Sequence, residues 1–382
     1  MKFLHLADLH LGKTVNEFRM IDDQKCILDQ ILQIVKERKI DCVLIAGDVY
    51  DKNIPSEEAV ALLDDLIRSL AQMDVKVFMI SGNHDSDVRL DFGKELFREQ
   101  GIYITGVYDG TVPCVTLQDE YGPVQIWSLP FVKASRVAHF HPDADTSSYD
   151  AAVRSALADC DIDRSRRSVL LAHQFVTASG MDPETAGSEN SSSDQVGTIE
   201  KVDVSAFDGF SYVALGHIHR PQRVGRDTVR YAGSPLKYSL SEAGHRKSAV
   251  LIDMTDTVSV ELIDLVPVRD MRHLKGPMEK ILDPANISAP QDYVYVTLTD
   301  EEVIPDAMGR IRAYYPNCMK LDYENSHTNE IENGSLEDVT QISFEEQMSK
   351  FYQLAEGQQP GEEEWKILTE AAKEAGVIDE AG

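Results

Sequence analysis

Five short apolar runs, Lys2 to Ala7, Cys42 to Ala46, Val75 to Ile80, Ser168 to Ala172 and Tyr212 to Leu215, are each followed at once by polar groups able to hold a metal ion. The first ends in Asp8-Leu9-His10, the second in Gly47-Asp48-Val49-Tyr50-Asp51 and the third in Gly82-Asn83-His84-Asp85. The fourth ends in His173 and the fifth in Gly216-His217-Ile218-His219. The length of these runs and their Val, Ile and Phe content suit buried strands. Ligands of α/β sheets gather beyond the carboxyl ends of strands, so loops far apart in the chain are expected to converge on one site.

Between the first two runs, Ile27, Leu28, Ile31, Leu32 and Val35 share one helical stripe. After the second, Ser56 is placed to cap a helix carrying Leu62, Leu63, Leu66 and Leu70. Strands alternating with amphipathic helices predict an α/β sheet layered between helices. A length of 382 residues suggests two or three such units. Residues 178 to 197 are polar and rich in Gly and Ser, as in a long surface loop. After about residue 266 a strand at 292 to 300, a helix around Asp306 to Tyr315 and a strand at Met319 to Tyr323 predict a small α+β domain, 266 to 325. A Gly, Asn and Ser-rich linker, 326 to 340, leads to a helical tail, 341 to 382. In it Ser343 and Glu346 have capping-box spacing ahead of Met348, Phe351 and Leu354, and Trp365, Leu368 and Ala372 share a face.

Carboxylate oxygen, amide oxygen and imidazole nitrogen without thiolate suit Mn²⁺, Fe²⁺ or Zn²⁺ in a reactive site better than a structural zinc. The donors suffice for two ions, and a pair of ions about 3.5 to 4 Å apart serves in-line displacement at phosphorus. The five cysteines form no C-x-x-C pair, which excludes a thiolate metal site and a disulfide framework, and they are expected to be ordinary buried residues. His5 alternates with apolar neighbours and is expected in the core. His139, His141, His245, His273 and His327 lack a motif and are expected at the surface. Ala7 to Thr14 meets the loosest form of a P-loop, but alanine replaces its first glycine and Asp8 crowds the phosphate position, so no nucleotide is expected on this chain.

The motif order D-x-H, GD-x-x-D, GNH-D, a lone H and GH-x-H resembles the calcineurin-like metallophosphoesterases over residues 1 to about 265, with all five blocks present. The finer wording LHLADLHLGK, AGDVYD, SGNHDS, YVALGHIHRPQ and YAGSPLKYS resembles the SbcD nuclease family across nearly the whole chain. The resemblance implies a metallophosphoesterase β-sandwich flanked by helices for 1 to 265, a capping, DNA-binding domain for 266 to 325 and a tail that docks on the coiled coil of an SbcC ATPase. It implies one metal held by Asp8, His10, Asp48 and His219 and another by Asp48, Asn83, His173 and His217, with Asp48 as bridge. Manganese is the implied ion, with Mg²⁺, Fe²⁺ and Zn²⁺ as alternatives. His84 would face the scissile phosphate, and Asp51 matches the family position that orients this histidine, although related nucleases often carry histidine there. The activity implied is that of a DNA exonuclease and hairpin endonuclease, ATP-dependent through SbcC, in break repair, recombination and replication, working as a dimer of heterodimers.

A formal charge of −28 runs against a polyanionic substrate, but from Glu330 onward 14 acidic residues face 3 basic ones, so −11 of it lies in the tail. Lys13, Arg89, Arg220, Lys237 and Arg246 lie in or near the motif loops and are candidates for DNA phosphates, or else for local ion pairs. Phe351, Leu354, Trp365 and Leu368 are the candidate anchors on the partner. With no apolar leader in MKFLHLADLH and no apolar run of about 18 residues, a cytoplasmic protein without membrane contact is expected. Two other readings use the same residues: a small-substrate phosphatase or cyclic-nucleotide phosphodiesterase, and a scaffold that binds DNA ends without cutting.

Overall fold

The structure, a computed structural model, describes residues 1–163, 165–185, 187, 201–324, 349, 360–361 and 364–369. Most of the 178 to 197 loop, the linker, Phe351 and Leu354 fall outside the described residues, whereas Trp365 and Leu368 are half-buried on a helical stretch. Two compact units divide the chain. One holds Met1–Leu274, Ser288–Tyr295 and Ile311–Lys320, and the other holds Lys275–Ile287, Val296–Arg310 and the described residues from Leu321 onward.

Twelve of the strands described in the first unit build its two large sheets. In chain order they are β1 (Lys2–Leu6), β2 (Cys42–Ala46), β3 (Lys76–Ile80), β4 (Ile102–Thr105), β5 (Cys114–Asp119) and β6 (Gly122–Leu129). There follow β7 (Arg167–His173), β8 (Tyr212–Gly216), β9 (Gln222–Val224), β10 (Arg226–Tyr231), β11 (Ser248–Met254) and β12 (Val258–Asp264). They form two six-stranded sheets, ordered β12-β11-β1-β2-β3-β4 and β9-β10-β8-β7-β6-β5. In the first, β1 to β4 run parallel and β11 and β12 close the edge antiparallel. In the second, β6, β7, β8 and β10 run parallel between antiparallel edges.

Side-chain alternation stacks the sheets face to face. Cys42, Leu44 and Ala46 of β2 meet Val169, Leu171, Tyr212 and Ala214 in the inter-sheet core. Val43 and Ile45 point the other way, into the layer formed with α1 (Ile21–Arg38) and α2 (Glu57–Gln72). Leu170, Ala172, Val213 and Leu215 form the outer layer of the second sheet with Val137 and Val153 of the helices at Ala134–Phe140 and Tyr149–Leu157. Central strands are thus apolar on both faces over most of their length because both faces are covered, as their sequence requires. Ser56 Oγ caps α2 by accepting from Ala59 N at 3.3 Å. His5 is buried between the sheets, its ring nitrogens on Tyr212 Oη and the Leu215 carbonyl, and burial lowers its pKa to about 3.

This is the α/β sandwich flanked by helices. The five signal-bearing strands divide between its sheets, three in the first and two in the second. Two smaller expectations are corrected. Only Cys42 and Cys318 are buried; Cys114 and Cys160 are half-buried and Cys26 is exposed, because it lies on α1 outside the stripe that faces the sheet. His139 and His273 are exposed, but His141 and His245 are half-buried, and His141 Nε2 lies 2.9 Å from Tyr108 Oη and 3.0 Å from the Gly110 carbonyl.

Strands β13 (Met271–Gly276), β14 (Tyr293–Leu298) and β15 (Cys318–Tyr323) form a three-stranded sheet in that order, and helices span Met278–Ile281 and Ala307–Arg312. Within the second unit Met278 N donates to Asp300 at 2.8 Å, capping the first of these helices, and Lys275 pairs with Glu324 at 2.6 Å. Among the described residues no helix is long and apolar enough to cross a membrane.

Candidate metal centre

The loops after β1, β2, β3, β7 and β8 meet at one end of the sandwich because their main chains are tied together. Asp8 N donates to the Gly47 carbonyl, His10 N to that of Asp48 and Leu11 N to that of Val49, at 2.9 to 3.1 Å, so the first two loops continue the parallel pairing past the strand ends. The Asp85 carboxylate fixes the third loop to the second, accepting from Val49 N, Tyr50 N and Gly82 N at 2.9 to 3.1 Å. His84 N donates to Asp48 Oδ1 at 2.9 Å, and His217 N donates to Asp8 Oδ1 at 2.8 Å. His173 Nδ1 lies 2.8 Å from the Ala46 carbonyl, which ties in the fourth loop.

Tight approach explains the glycines in two of the motifs. A Cβ on Gly82 would lie 2.1 Å from Asp48 Oδ1, and one on Gly216 would lie 1.9 Å from the Ala46 carbonyl oxygen. Asp8, Asp48, His10 and His217 all have positive φ, at 52°, 47°, 44° and 102°. Each costs roughly 1 to 3 kcal/mol in a residue other than glycine, a strain held by the surrounding hydrogen bonds and characteristic of functional loops.

All seven residues expected as ligands are gathered here. Asp8, His10 and His219 offer donor atoms within 4.8 Å of one another, as do Asp8, Asp48 and His173, and as do His10, Asp51 and His84. His10 Nε2 faces His219 Nε2 at 3.0 Å. The amide oxygen of Asn83 lies 3.0 Å from both His173 Nε2 and His217 Nδ1. His84 is half-buried at the rim, its ring packed edge-on against that of His10 at 4.9 Å.

The donor set suits divalent cations on three observations. Asp8 Oδ2 is buried and has no hydrogen-bond partner among the described residues. His173 gives its Nδ1 proton to a carbonyl and His219 sets Nδ1 3.3 Å from Glu242 Oε1, so the Nε2 lone pairs of both rings face inward. Nitrogen bonds to such ions are about 2.1 Å, so neighbouring ligands of one ion fall on the order of 3 Å apart, the spacing of His10 and His219. The electrostatics agree. Burial pushes the Asp8 carboxyl up to about 7. Burial opposes ionisation of Asp48 too, but His173 and His10 hold it well below the usual carboxylate range. The same Asp48 charge outweighs the burial of His173 and raises it to about 9. A bound cation takes the place of that proton.

Several supporting residues lie outside the five metal-binding blocks. Gln24 of α1 donates to the His10 carbonyl at 2.7 Å and accepts from Gly12 N at 2.9 Å, while Tyr238 Oη donates to the Leu9 carbonyl at 2.6 Å. Glu242 is buried behind His219, and Lys247 places its ammonium on Glu242, on Ser234 Oγ and on the His219 carbonyl. Burial raises the Glu242 carboxyl, but His219 and Lys247 outweigh it and hold the group low. Asp85 stands inside a metal-binding motif and Ser234 and Tyr238 within YAGSPLKYS, whereas Gln24, Glu242 and Lys247 had no sequence signal.

The candidate phosphate contacts differ among themselves. Lys13 pairs with Asp51 at 2.7 Å, Lys237 with Asp270 at 2.8 Å and Arg220 with Glu184, while Arg89 and Arg246 are exposed. Asp51 meets His84 through its main-chain carbonyl, 3.2 Å from Nδ1, and not through its carboxylate.

A sandwich of two mixed sheets that collects carboxylates, an amide and imidazoles beyond its strand ends is the arrangement of a metallophosphoesterase. The calcineurin-like phosphoesterase family matches residues 1–221, and the chain belongs to that family. Residues 267–356 match the SbcD_C family, described as a type 5 capsule protein repressor C-terminal domain. The chain is 32% identical to the SbcD subunit of the nuclease SbcCD from Staphylococcus epidermidis over 84% of its own length and 85% of that protein. Among solved structures it is similar to a dimetal phosphatase from Danio rerio (TM-score 0.41, 12% identity, 70% of this chain and 96% of that one). It is likewise similar to TT1561 of Thermus thermophilus (TM-score 0.41, 13% identity, 69% and 99%). Family membership makes the chain a phosphoesterase and implies divalent metal ions.

Proposed function

We propose that this chain is the metal-dependent DNA nuclease subunit of an SbcCD-type complex. The observation that carries the reading is the pairing of a buried donor set around Asp48 with a relative, named as a subunit of the nuclease SbcCD, that aligns with most of the chain. Asp8, His10, Asp48 and His219 hold one ion and Asp48, Asn83, His173 and His217 the other. Two divalent cations, manganese in this reading, supply charge against the phosphate oxygens and lower the pKa of the attacking water. His84 stands at the rim of the donor set, suited to stabilise or protonate the leaving oxygen. Arg89 and Arg246, both exposed, take backbone phosphates in this reading.

In the same proposal the SbcC ATPase provides ATP-driven access to double-stranded ends and hairpins, the tail from 341 to 382 docks on it, residues 266 to 325 cap the site, and the chain self-associates within a heterotetramer. Val88 and Leu96, on two short helices after the third loop, and Phe92, on the turn between them, are 68%, 74% and 85% exposed, an apolar surface suited to a second copy. The test compares turnover of a DNA hairpin with that of bis-p-nitrophenyl phosphate in manganese, with and without the ATPase. Hairpin cleavage stimulated by manganese and ATP is expected. Hydrolysis of the aryl ester alone would return the chain to a small-substrate phosphodiesterase, and no cleavage of either would make it an end-binding scaffold.

A further inference from the structure

Two ligand histidines meet at their Nε2 atoms, 3.0 Å apart, and behind each lies a carboxylate that is itself held by a lysine. Behind His219 the set is Glu242 and Lys247, nearly inaccessible at 0% and 3%. Behind His10 the set is Asp51 and Lys13, at 10% and 20%. We infer that Asp51 and Lys13 are the positioning pair of His10: the carboxylate receives the ring at Nδ1 and the ammonium fixes the carboxylate. This departs from both expectations for these residues, a DNA phosphate contact for Lys13 and orientation of His84 for Asp51.

Four observations support the assignment. His10 presents Nε2 to the centre, so its remaining nitrogen, Nδ1, needs an acceptor for its proton, and it is buried with no hydrogen bond among the described residues. Asp51 Oδ1 lies 3.7 Å from that nitrogen, an ion-pair distance that a shift on the order of 1 Å converts to a hydrogen bond. Ligand histidines in metal sites almost always give this proton to an outer acceptor, which fixes the tautomer and strengthens the ligand. The main chain builds the pair: Leu11 N to the Val49 carbonyl and Asp51 N to the Leu11 carbonyl carry Asp51 behind His10, and Lys13 N to the His10 carbonyl folds Lys13 back over it. Finally, Lys13 Nζ is 2.7 Å from Asp51 Oδ1, the oxygen that faces His10. An ammonium already on that oxygen disfavours a third cation among His10, Asp51 and His84, and it withdraws Lys13 from a DNA phosphate. The His84 ring lies 3.2 Å from the Asp51 carbonyl, a main-chain contact that any residue can supply.

The inference rests on the two-ion reading of the centre, so the test reads metal rather than DNA. The full chain, stripped with chelator, is titrated with Mn²⁺ in a calorimeter. Asp51→Asn is expected to weaken one of two Mn²⁺ sites roughly 10- to 100-fold and leave the other in place. Lys13→Met should weaken the same site by a smaller factor, and Lys13→Arg should restore it. With bis-p-nitrophenyl phosphate, both losses should appear in kcat at low Mn²⁺ and vanish at saturating Mn²⁺, with KM for the ester unchanged. An unchanged titration for Asp51→Asn would overturn the inference. So would a Lys13→Met protein whose titration matches wild type while its KM for DNA rises and its salt dependence falls by about one charge. Should Asp51→Asn fail to fold, the contrast between Met and Arg at position 13 decides alone. A wild-type chain that binds two ions yet cuts no DNA would leave this pair standing and remove only the nuclease reading, and one that binds no ion removes both.

Discussion

Glu242 Oε1 lies 3.3 Å from His219 Nδ1, and the other oxygen of the same carboxylate receives the Lys247 ammonium, all three side chains being buried. The carboxylate therefore answers two demands: it fixes which nitrogen of His219 faces the metal, and it neutralises a lysine far from water. Glu242→Gln keeps the shape and removes the charge. Mn²⁺ affinity should fall roughly 10- to 100-fold at the site His219 serves. Stability should also drop by about 3 to 5 kcal/mol, because Lys247 loses its buried counter-charge. Calorimetric titration and urea denaturation read the two effects separately.

Gly82 tests how closely the loops are packed. In Gly82→Ala the methyl group has to occupy space held by Asp48 Oδ1, 2.1 Å away, and by Asp48 N, 2.4 Å away. Asp48 is the shared carboxylate, so displacement on the order of 1 Å should lower turnover about 100-fold and weaken both ions together. Gly244→Ala, with nothing within 4 Å of the added carbon, is the control and should match wild type. Equal Mn²⁺ binding by the two variants would show that the close approach does not matter.

The contrast between these residues shows what the sequence discloses. The strands β1, β2, β3, β7 and β8 are legible because both of their faces are buried, which leaves unbroken apolar runs. The edge strand β12 is only half covered, with Glu261 and Leu262 exposed, and so carries no unbroken apolar run. That the five runs serve two sheets is a long-range property that local periodicity does not encode. The ligands are legible because their residue types follow strand ends. Gln24, Glu242 and Lys247 are not, since a charged or amide side chain in a helix or loop looks like surface until the fold buries it. The left-handed backbone of Asp8, His10 and Asp48 is hidden for a related reason: it occurs at residues other than glycine and is maintained by hydrogen bonds from other loops.

His84 is held mainly by its main chain, whose N–H donates to Asp48 Oδ1, and that bond survives any substitution of the ring. His84→Gln should consequently bind Mn²⁺ with unchanged stoichiometry while kcat on a phosphodiester falls roughly 100- to 10,000-fold. Metal content by elemental analysis, measured beside turnover, separates the two roles. A variant with normal turnover would remove His84 from the chemistry.

At the far end of the sandwich the pH dependence of stability has a defined sign. Asp119, ending β5, accepts from Arg167 Nη1 at 3.0 Å at the start of β7, and this guanidinium, opposed by partial burial, holds the carboxyl well below its usual range. A folded-state pKa below the unfolded value of about 3.9 means that the contribution is whole above pH 4 and is lost as pH falls further. Wild type should exceed Asp119→Asn in urea stability by about 1.5 to 3 kcal/mol at pH 7 and at pH 5. The gap should narrow at pH 3. A gap that instead widened on acidification would contradict the assigned direction.

Removing metal should destabilise the fold as well as stop hydrolysis. Without cations the centre keeps Asp8 and Asp48 side by side in a buried setting, with Asp8 Oδ2 unsatisfied and four ligand residues in left-handed backbone. An ion that binds only the folded chain stabilises it by mass action, about 2.7 kcal/mol when its concentration is 100 times Kd. Chelator-stripped protein should therefore melt at a lower temperature than protein in excess Mn²⁺, by an amount that grows with the logarithm of Mn²⁺ concentration. Asp48→Ala should abolish that dependence, since both ions share this carboxylate, whereas Asp119→Asn, remote from the centre, should keep it in full. If the melting temperature of Asp48→Ala rose with Mn²⁺ as steeply as that of wild type, the cation would be binding elsewhere and the centre would lose its bridging role.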